Sequence, residues 1–491
     1  APAAEPKAED AAAPTPASGE PGSGEPGSGK PASGEPAASK SAPAGEETAK
    51  AAPSAPPPKP PALPRITLAT SDQHTCAVVR RLGDEADRVK CWGQNDGGEL
   101  GLGDRRGRKA ADRQMGDALP FVPLAVTSAI TAIDASTGRT CALEQKGALW
   151  CWGDGPTPPE SEDDPPAAPA VVPLPGPVIS FGLGHDHACA VLDRGTVHCW
   201  GRSLEGAVGL GDALRHEPGP ELPAVSLGAG LVAHQVVTGG EYTCVRLDGG
   251  RVKCFGLGAY GTLGLDHIRS VGASPGEMGD ALPAIDFGAG FMAASLSAGG
   301  LHMCALGSDH RVVCWGANRM GQLGLGHSNS PGLKPGQDPT PAPTGDALGR
   351  VELGSGGQVV AMDAGNSHTC ALIERAPADV GLKCWGAGGQ PPPPRGDDPD
   401  EMGDALPFIE LGAELVPLAI SAGGHTCAIV AARSELAGGA RPATARLKCW
   451  GRDPDGATGI VQDEWDFERL DAMGDALPFV NLGKDVGVVV P

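Results

Sequence analysis

Residues Cys189–Cys199 read CAVLDRGTVHC and run straight into Trp200-Gly201. The midpoint, Arg194, lies between Asp193 and Gly195, a turn-forming triplet. Strands over 188–192 and 196–200 then pair antiparallel, with Cys189 directly opposite Cys199. Directly opposed residues have Cα atoms about 4.5–5.5 Å apart, a separation that a disulfide accepts. CVRLDGGRVKC, Cys244–Cys254, has the same symmetry about Gly249. The spacing therefore predicts a cross-strand disulfide beside a tight turn. Zinc and free thiols are the rivals. Zinc needs four converging ligands, often from C-x-x-C pairs, and the chain has no C-x-x-C.

The phrase recurs. The 14 cysteines fall into the pairs Cys76–Cys91, Cys141–Cys151, Cys189–Cys199, Cys244–Cys254, Cys304–Cys314, Cys370–Cys384 and Cys427–Cys449. Trp-Gly follows the second member everywhere except at Phe255-Gly256. MGDALP recurs from Met115, Met278, Met402 and Met473, with degenerate copies at Gly211 and Gly345. A repeat of this length is read before any single motif. Each unit offers an apolar segment such as MAASLSAGG, the two hairpin strands, and a later segment such as PAIDFG.

That pattern predicts an all-β fold, a seven-bladed β-propeller of four-stranded antiparallel blades. Blades are expected over 66–124, 128–178, 180–228, 232–287, 291–353, 358–413 and 416–482, within a domain spanning 63–491. A closing strand over 486–490 is expected beside Arg65–Thr70; an open solenoid is the alternative. Seven paired disulfides would place the chain outside the cytosol, in a secreted, periplasmic or surface-tethered setting.

The phrases SAGGHTCAIV…LKCWG and RVVCWGANRMGQLGLG resemble the regulator of chromosome condensation repeat, whose members form seven-bladed propellers. The resemblance runs from Arg65 to about Leu482. The glycine-rich phrase is degraded at GDGPTPPE, GAGGQPPPPRG and GRDPDGATG. The cysteine pairs and MGDALP are not general to that family and look like a secreted bacterial branch. The resemblance implies guanine-nucleotide exchange on a small GTPase as one function. Inhibition of a secreted enzyme such as a β-lactamase is another.

Residues 1–62 contain no Ile, Leu, Val, Met, Phe, Trp, Tyr or Cys, and GEPGSG repeats from Gly19. Such a segment cannot bury apolar surface to offset its chain entropy. It reads as a disordered Pro/Ala/Gly/Glu-rich tail, a linker or a tether. GEPGSGK at Gly24–Lys30 approaches a phosphate loop, but Pro31 stands where Ser or Thr belongs and no strand precedes it. The chain starts at Ala1, the kind of end a cleaved export signal leaves.

The formal charge of −22 argues against nucleic acid as a partner. No run of eighteen apolar residues predicts a membrane span, although the tail could anchor the chain. Gly256–Gly261 spells G-x-G-x-x-G but aligns with GANRMG of the next unit, so it is a repeat variant. No catalytic motif, metal site or cofactor site stands out.

A residue present in every unit is most simply a requirement of the fold. His74, His187, His302, His368 and His425 stand two before the first cysteine of their units, with Arg139 and Tyr242 in that place elsewhere. They read as packing residues. Asp117, Asp280, Asp404 and Asp475 of MGDALP read as caps of a helical turn, with cation binding as the rival.

Two features do not repeat. Hairpins one, six and seven are long, and they carry Arg80, Arg81, Arg88, Arg375, Arg433, Arg441 and Arg446. Their blades are neighbours in a closed ring, so their tips should form a partner-binding crest on one face. The opposite face is expected to carry DRRGRKAADR, Asp104–Arg113, and VQDEWDFERLD, Val461–Asp471, with Trp465 and Phe467 as interface anchors. The two segments could instead pair with each other. The expected function is a monomeric, non-enzymatic exported scaffold that binds a protein partner.

Overall fold

The computed structural model divides the chain into Ala1–Lys59 and Pro60–Pro491. It describes residues 65–153, 166–331, 342–389, 394–436, 441–453, 455–461 and 473–491. The expected tail, 1–62, and the anchors Trp465 and Phe467 lie outside the described residues.

Seven three-stranded antiparallel units follow one another. Their inner, middle and outer strands are Leu68–Thr70, His74–Arg81 and Arg88–Gly93 in blade 1, and Ile130–Ser136, Arg139–Glu144 and Leu149–Gly153 in blade 2. Blade 3 has Val178–Leu183, His187–Leu192 and Val197–Arg202, and blade 4 has Ala233–Thr238, Tyr242–Leu247 and Val252–Gly256. Blade 5 has Ala293–Ala298, His302–Gly307 and Val312–Gly316, and blade 6 has Gln358–Ala364, His368–Ala376 and Asp379–Gly386. Blade 7 has Leu415–Ala422, His425–Ala432 and Thr444–Gly451. The fourth strand is slight. It spans Ala170–Val171 and Arg215–His216 in blades 2 and 3, and shrinks to single bridges such as Gly93 with Arg108 in blades 1, 4, 5 and 6. Each inner strand lies against those of two neighbouring blades, and that of blade 7 lies against that of blade 1, which closes the ring. Middle strands such as His187–Leu192 are buried throughout, because blades press on both faces.

The hairpin register is the one the spacing demands. Cys189 pairs with Cys199, and Cys244 with Cys254, directly across the ladder. All seven cysteine pairs sit at bonding distance, with Cα atoms 4.0–4.1 Å apart. Lengthening the hairpin does not disturb this. The pairs in blades 1, 6 and 7 are separated by 15, 14 and 22 residues, and the extra residues go beyond the bridge.

A polar belt joins the blades. The Thr before the first cysteine donates its hydroxyl to a carbonyl in the preceding blade's glycine-rich loop: Thr75 to Ala457, Thr140 to Glu99, Thr243 to Ala207 and Thr369 to Gln322. The Trp after the second cysteine donates its indole N–H to the same carbonyl in three of these cases, Trp92, Trp152 and Trp385. Each repeat histidine reaches forward to the threonine of the next blade. His74 meets Thr140 at 2.8 Å, His187 meets Thr243 at 2.9 Å, and His302 meets Thr369 at 2.9 Å. His368 meets Thr426 at 2.8 Å, and His425 meets Thr75 at 2.6 Å across the closure. Where a Thr hydroxyl is already donated to its carbonyl, the imidazole Nε2 must carry the proton.

The exceptions prove the pairing. Blades 3 and 5 have Ala188 and Met303 in place of Thr, and the blades before them have Arg139 and Tyr242 in place of His. Tyr242 instead donates to the carbonyls of Gly299 and His302. The histidines are thus fully enclosed packing residues. Burial pulls the pKa of His74, His187, His302 and His425 down to about 3 and that of His368 to about 4.

The closing strand runs over Val486–Val489 and corrects the sequence expectation in detail. It does not lie beside Leu68–Thr70 but continues the same line. Both pair with one edge of the blade 1 middle strand, Leu68–Thr70 with Thr75–Ala77 and Val486–Val488 with Val79–Arg81. One inner strand is therefore built from both ends of the folded chain. The closing strand also pairs Val488 and Val489 with Ala445 and Thr444 of blade 7.

Candidate functional site

The three long hairpins do come together. Arg81 of blade 1 pairs in register with Val486 of the closing strand, whose other edge carries Thr444 and Ala445 of blade 7. Arg433 of blade 7 reaches Asp379 of blade 6 at 3.4 Å. The result is one continuous crest over blades 6, 7 and 1, and Leu82 near its blade 1 tip is 81 % exposed.

The crest arginines divide into two sorts. Arg80 is taken up by the fold. Its guanidinium meets Asp87 at 2.7 Å, and the same carboxylate, only 1 % exposed, takes Arg65 at 2.6 Å and the Ile130 N–H at 2.8 Å. That knot ties the first strand and the hairpin to blade 2. The others lie on the surface or over a ring. Arg81 and Arg88 sit 5.0 and 5.2 Å above Phe121, Arg375 sits 4.6 Å above Phe408, and Arg446 sits 3.9 Å above Phe479. Arg88 also pairs with Asp84 at 3.1 Å, and Arg375 with Asp379 at 2.9 Å. Arg441 approaches the Pro491 carbonyl at 3.5 Å.

These rings were not singled out from the sequence, although a signal was there. Phe follows MGDALP in blades 1, 6 and 7, the blades with long hairpins; Ala follows it in blade 4. The lysine before the second cysteine completes the arrangement. Lys90, Lys383 and Lys448 lie 4.8 Å from the same three rings.

MGDALP itself has a structural use, which corrects the capping expectation. Gly116–Ala118 and its counterparts are single turns with no side-chain cap. The aspartate crosses to the preceding blade instead. Asp117 accepts from the N–H of Lys484 at 2.8 Å, Asp280 from Ala229 at 3.1 Å, and Asp404 from Ser355 at 3.1 Å. The lysines clamp the same junction. Lys90 donates to Gly116 and Leu482, Lys253 to Gly279 and Leu227, and Lys383 to Gly403 and Leu353. A buried ammonium facing two carbonyls is costly to remove, because both acceptors lose their partner. Lys253→Met should cost about 2–3 kcal/mol. Denaturant unfolding of the oxidised protein checks this, and an unchanged midpoint would contradict the clamp.

On the opposite face, Lys109 of the basic segment pairs with Asp455 of blade 7 at 3.7 Å. The acidic segment it was expected to meet lies almost wholly outside the described residues. Arg108 turns back onto Asp104 at 2.7 Å. A cavity of about 860 Å³ borders Trp315, Leu325 and Met402. Among the described residues, no group of three His, Cys, Asp or Glu side chains is placed to hold a metal. Among the same described residues, no helix is long and apolar enough to cross a membrane.

Comparisons with known proteins agree with this geometry. The regulator of chromosome condensation (RCC1) repeat matches residues 178–207, 293–322 and 309–372. The ultraviolet-B receptor UVR8 of Arabidopsis thaliana is 25 % identical over 377 residues, covering 66 % of this chain and 77 % of the receptor. The mitochondrial RCC1 domain-containing protein RUG3 of the same plant is 26 % identical over 217 residues, 43 % of this chain and 46 % of its own. The human E3 ubiquitin-protein ligase HERC2 is 26 % identical over 336 residues, 65 % of this chain but only 6 % of the ligase. Among solved structures, human WBSCR16 superposes with a TM-score of 0.56 at 19 % identity, covering 82 % of this chain and all of that one. Prp20p of Saccharomyces cerevisiae, described with its binding to Gsp1p and histones, gives 0.55 at 18 % identity over 73 % of this chain and 80 % of its own. At these identities the structures speak for the fold alone.

Proposed function

The chain belongs to the RCC1-repeat propellers, and from that premise we propose that it is a non-enzymatic, exported binding protein that engages a protein partner through the crest of blades 6, 7 and 1. The observation that carries this reading is the convergence of the three long hairpins, joined by the closing strand and by Arg433 with Asp379. A scaffold fold is uniform around its ring, whereas the crest breaks that uniformity in three adjacent blades. Loops set on a rigid frame are the usual place for recognition.

Export rests on the cysteines. Seven pairs at bonding distance fit an oxidising compartment. Nucleotide exchange on a small GTPase fits less well, since those enzymes work in reducing cytosol. The tail, from its composition, suits a tether or spacer.

Two experiments test the proposal. Peptide mapping of unreduced protein with blocked thiols should recover seven intra-blade disulfides; mostly free thiols would overturn export and make exchange the reading to test. A photo-crosslinking residue at Leu82, in extract of the source cells, should give one adduct of defined mass that excess unlabelled chain competes away. The same residue at Arg194, on the short blade 3 hairpin, should give none. Equal labelling from both positions would remove the crest as the binding surface.

A further inference from the structure

We infer that the Phe-stacked arginines of the crest form a docking rail for an acidic protein segment, an inference that deepens the proposed binding role and rests on it. Stacks on three equivalent phenylalanines step around the ring in consecutive blades: Arg375 on Phe408, Arg446 on Phe479, and Arg81 with Arg88 on Phe121, Arg375 and Arg81 coming from middle strands and Arg446 and Arg88 from outer strands. Each ring also has the lysine of the outer strand against it.

A guanidinium over an aromatic face is held in a fixed plane by stacking and cation–π attraction. Its N–H fork then loses less freedom when it meets a carboxylate, and that pre-organisation strengthens binding. Among the described residues, Arg81 and Arg446 make no ion pair, although the chain carries 60 Asp and Glu against 38 Lys and Arg. These two flank the closing strand, Arg81 in register with Val486 and Arg446 next to Ala445, which pairs with Val488. Leu82, beside Arg81, offers an exposed apolar contact to the same segment. Charge complementarity thus selects carboxylates. A basic or neutral segment would leave two prepared guanidiniums unpaired.

The probe is a fluorescein-labelled octaglutamate peptide, titrated by anisotropy against the full oxidised chain, with octalysine and octaglutamine alongside. Octaglutamate should bind, the other two should not, and affinity should fall several-fold from 50 to 200 mM salt as screening tightens. The Arg81→Gln/Arg446→Gln variant should bind at least tenfold more weakly. Arg194→Gln/Arg251→Gln makes the same change in net charge on hairpins three and four and should bind like the parent. Phe121→Leu/Phe479→Leu keeps every arginine but frees it, and should weaken binding about threefold; a general electrostatic attraction would not move. Thermal melts of each variant control for folding. Equal binding by the two arginine variants, or no octaglutamate binding at all, overturns the acidic partner. If that happens while Leu82 still yields its specific adduct, the crest remains the binding surface and only the partner class is wrong. Loss of both removes the proposed function as well.

Discussion

Acidification from pH 7 to about 4.5 should unfold this propeller or bring it close to unfolding, with the disulfides intact. Five belt histidines are neutral in the folded state, with pKa values of about 3 or, for His368, about 4. In the unfolded chain they titrate near the ordinary value of about 6.5. Between those values the unfolded state binds more protons, so stability is full above pH 6.5 and is lost as the pH falls. Each histidine then contributes about 2–3 kcal/mol of destabilisation at pH 4.5. Asp134 and Asp363 work the other way. Burial raises both to about 6, so their contribution to the fold is full below the ordinary unfolded value of about 3.9 and is lost as the pH rises through 6. They return about 2 kcal/mol each on the same descent. The net loss is on the order of 10 kcal/mol, comparable with a domain's whole stability. Calorimetry from pH 7 to 4 measures it, and a flat melting temperature would refute the belt as drawn. His425→Gln keeps an amide donor for Thr75 and should lessen the pH slope by about one proton.

Deleting Val486–Pro491 should be the most damaging small truncation. It removes half of the blade 1 inner strand, and with it Val488 and Val489, buried to 0 % and 1 % exposure. Two buried valines and their ladder bonds amount to about 4–6 kcal/mol. The damage should centre on the closure, because the Val79–Arg81 edge and Thr444–Ala445 lose their common partner. Hydrogen exchange should show fast amides in blades 1 and 7 while blades 3–5 stay protected. Uniform loss of protection would mean the ring has no weak seam. Adding the hexapeptide VGVVVP should restore part of the melting temperature if the strand acts through pairing alone.

Some of this was legible in the residues. Ten-residue spacing about a turn fixes which cysteines oppose each other, since the ladder geometry leaves one register. Seven copies of that hairpin, with an apolar strand before each, can bury their edges only by closing. The histidine–threonine pairing was written there too: Ala188 and Met303 coincide with the loss of histidine one blade earlier. That covariation becomes visible only when position two before one cysteine is compared with position one before the next, and nothing local prompts the comparison.

What tertiary structure decided is where repeated motifs spend their polar groups. Asp117 looked like a cap because sequence reading sees only its own turn; its acceptor is satisfied by Lys484, 367 residues away. Arg80 and Arg81 are adjacent and alike in sequence, yet the strand turns one onto the buried Asp87 and the other onto Phe121. The closing strand could be foreseen as a strand, but its place end-on to Leu68–Thr70 depends on which edge of the blade 1 middle strand stays open. Local pattern determines the hairpin, its staple and the number of blades, because period and turn chemistry act within a few residues. The crest, the belt and the seam are contacts between blades, and only closure of the ring brings their members within reach.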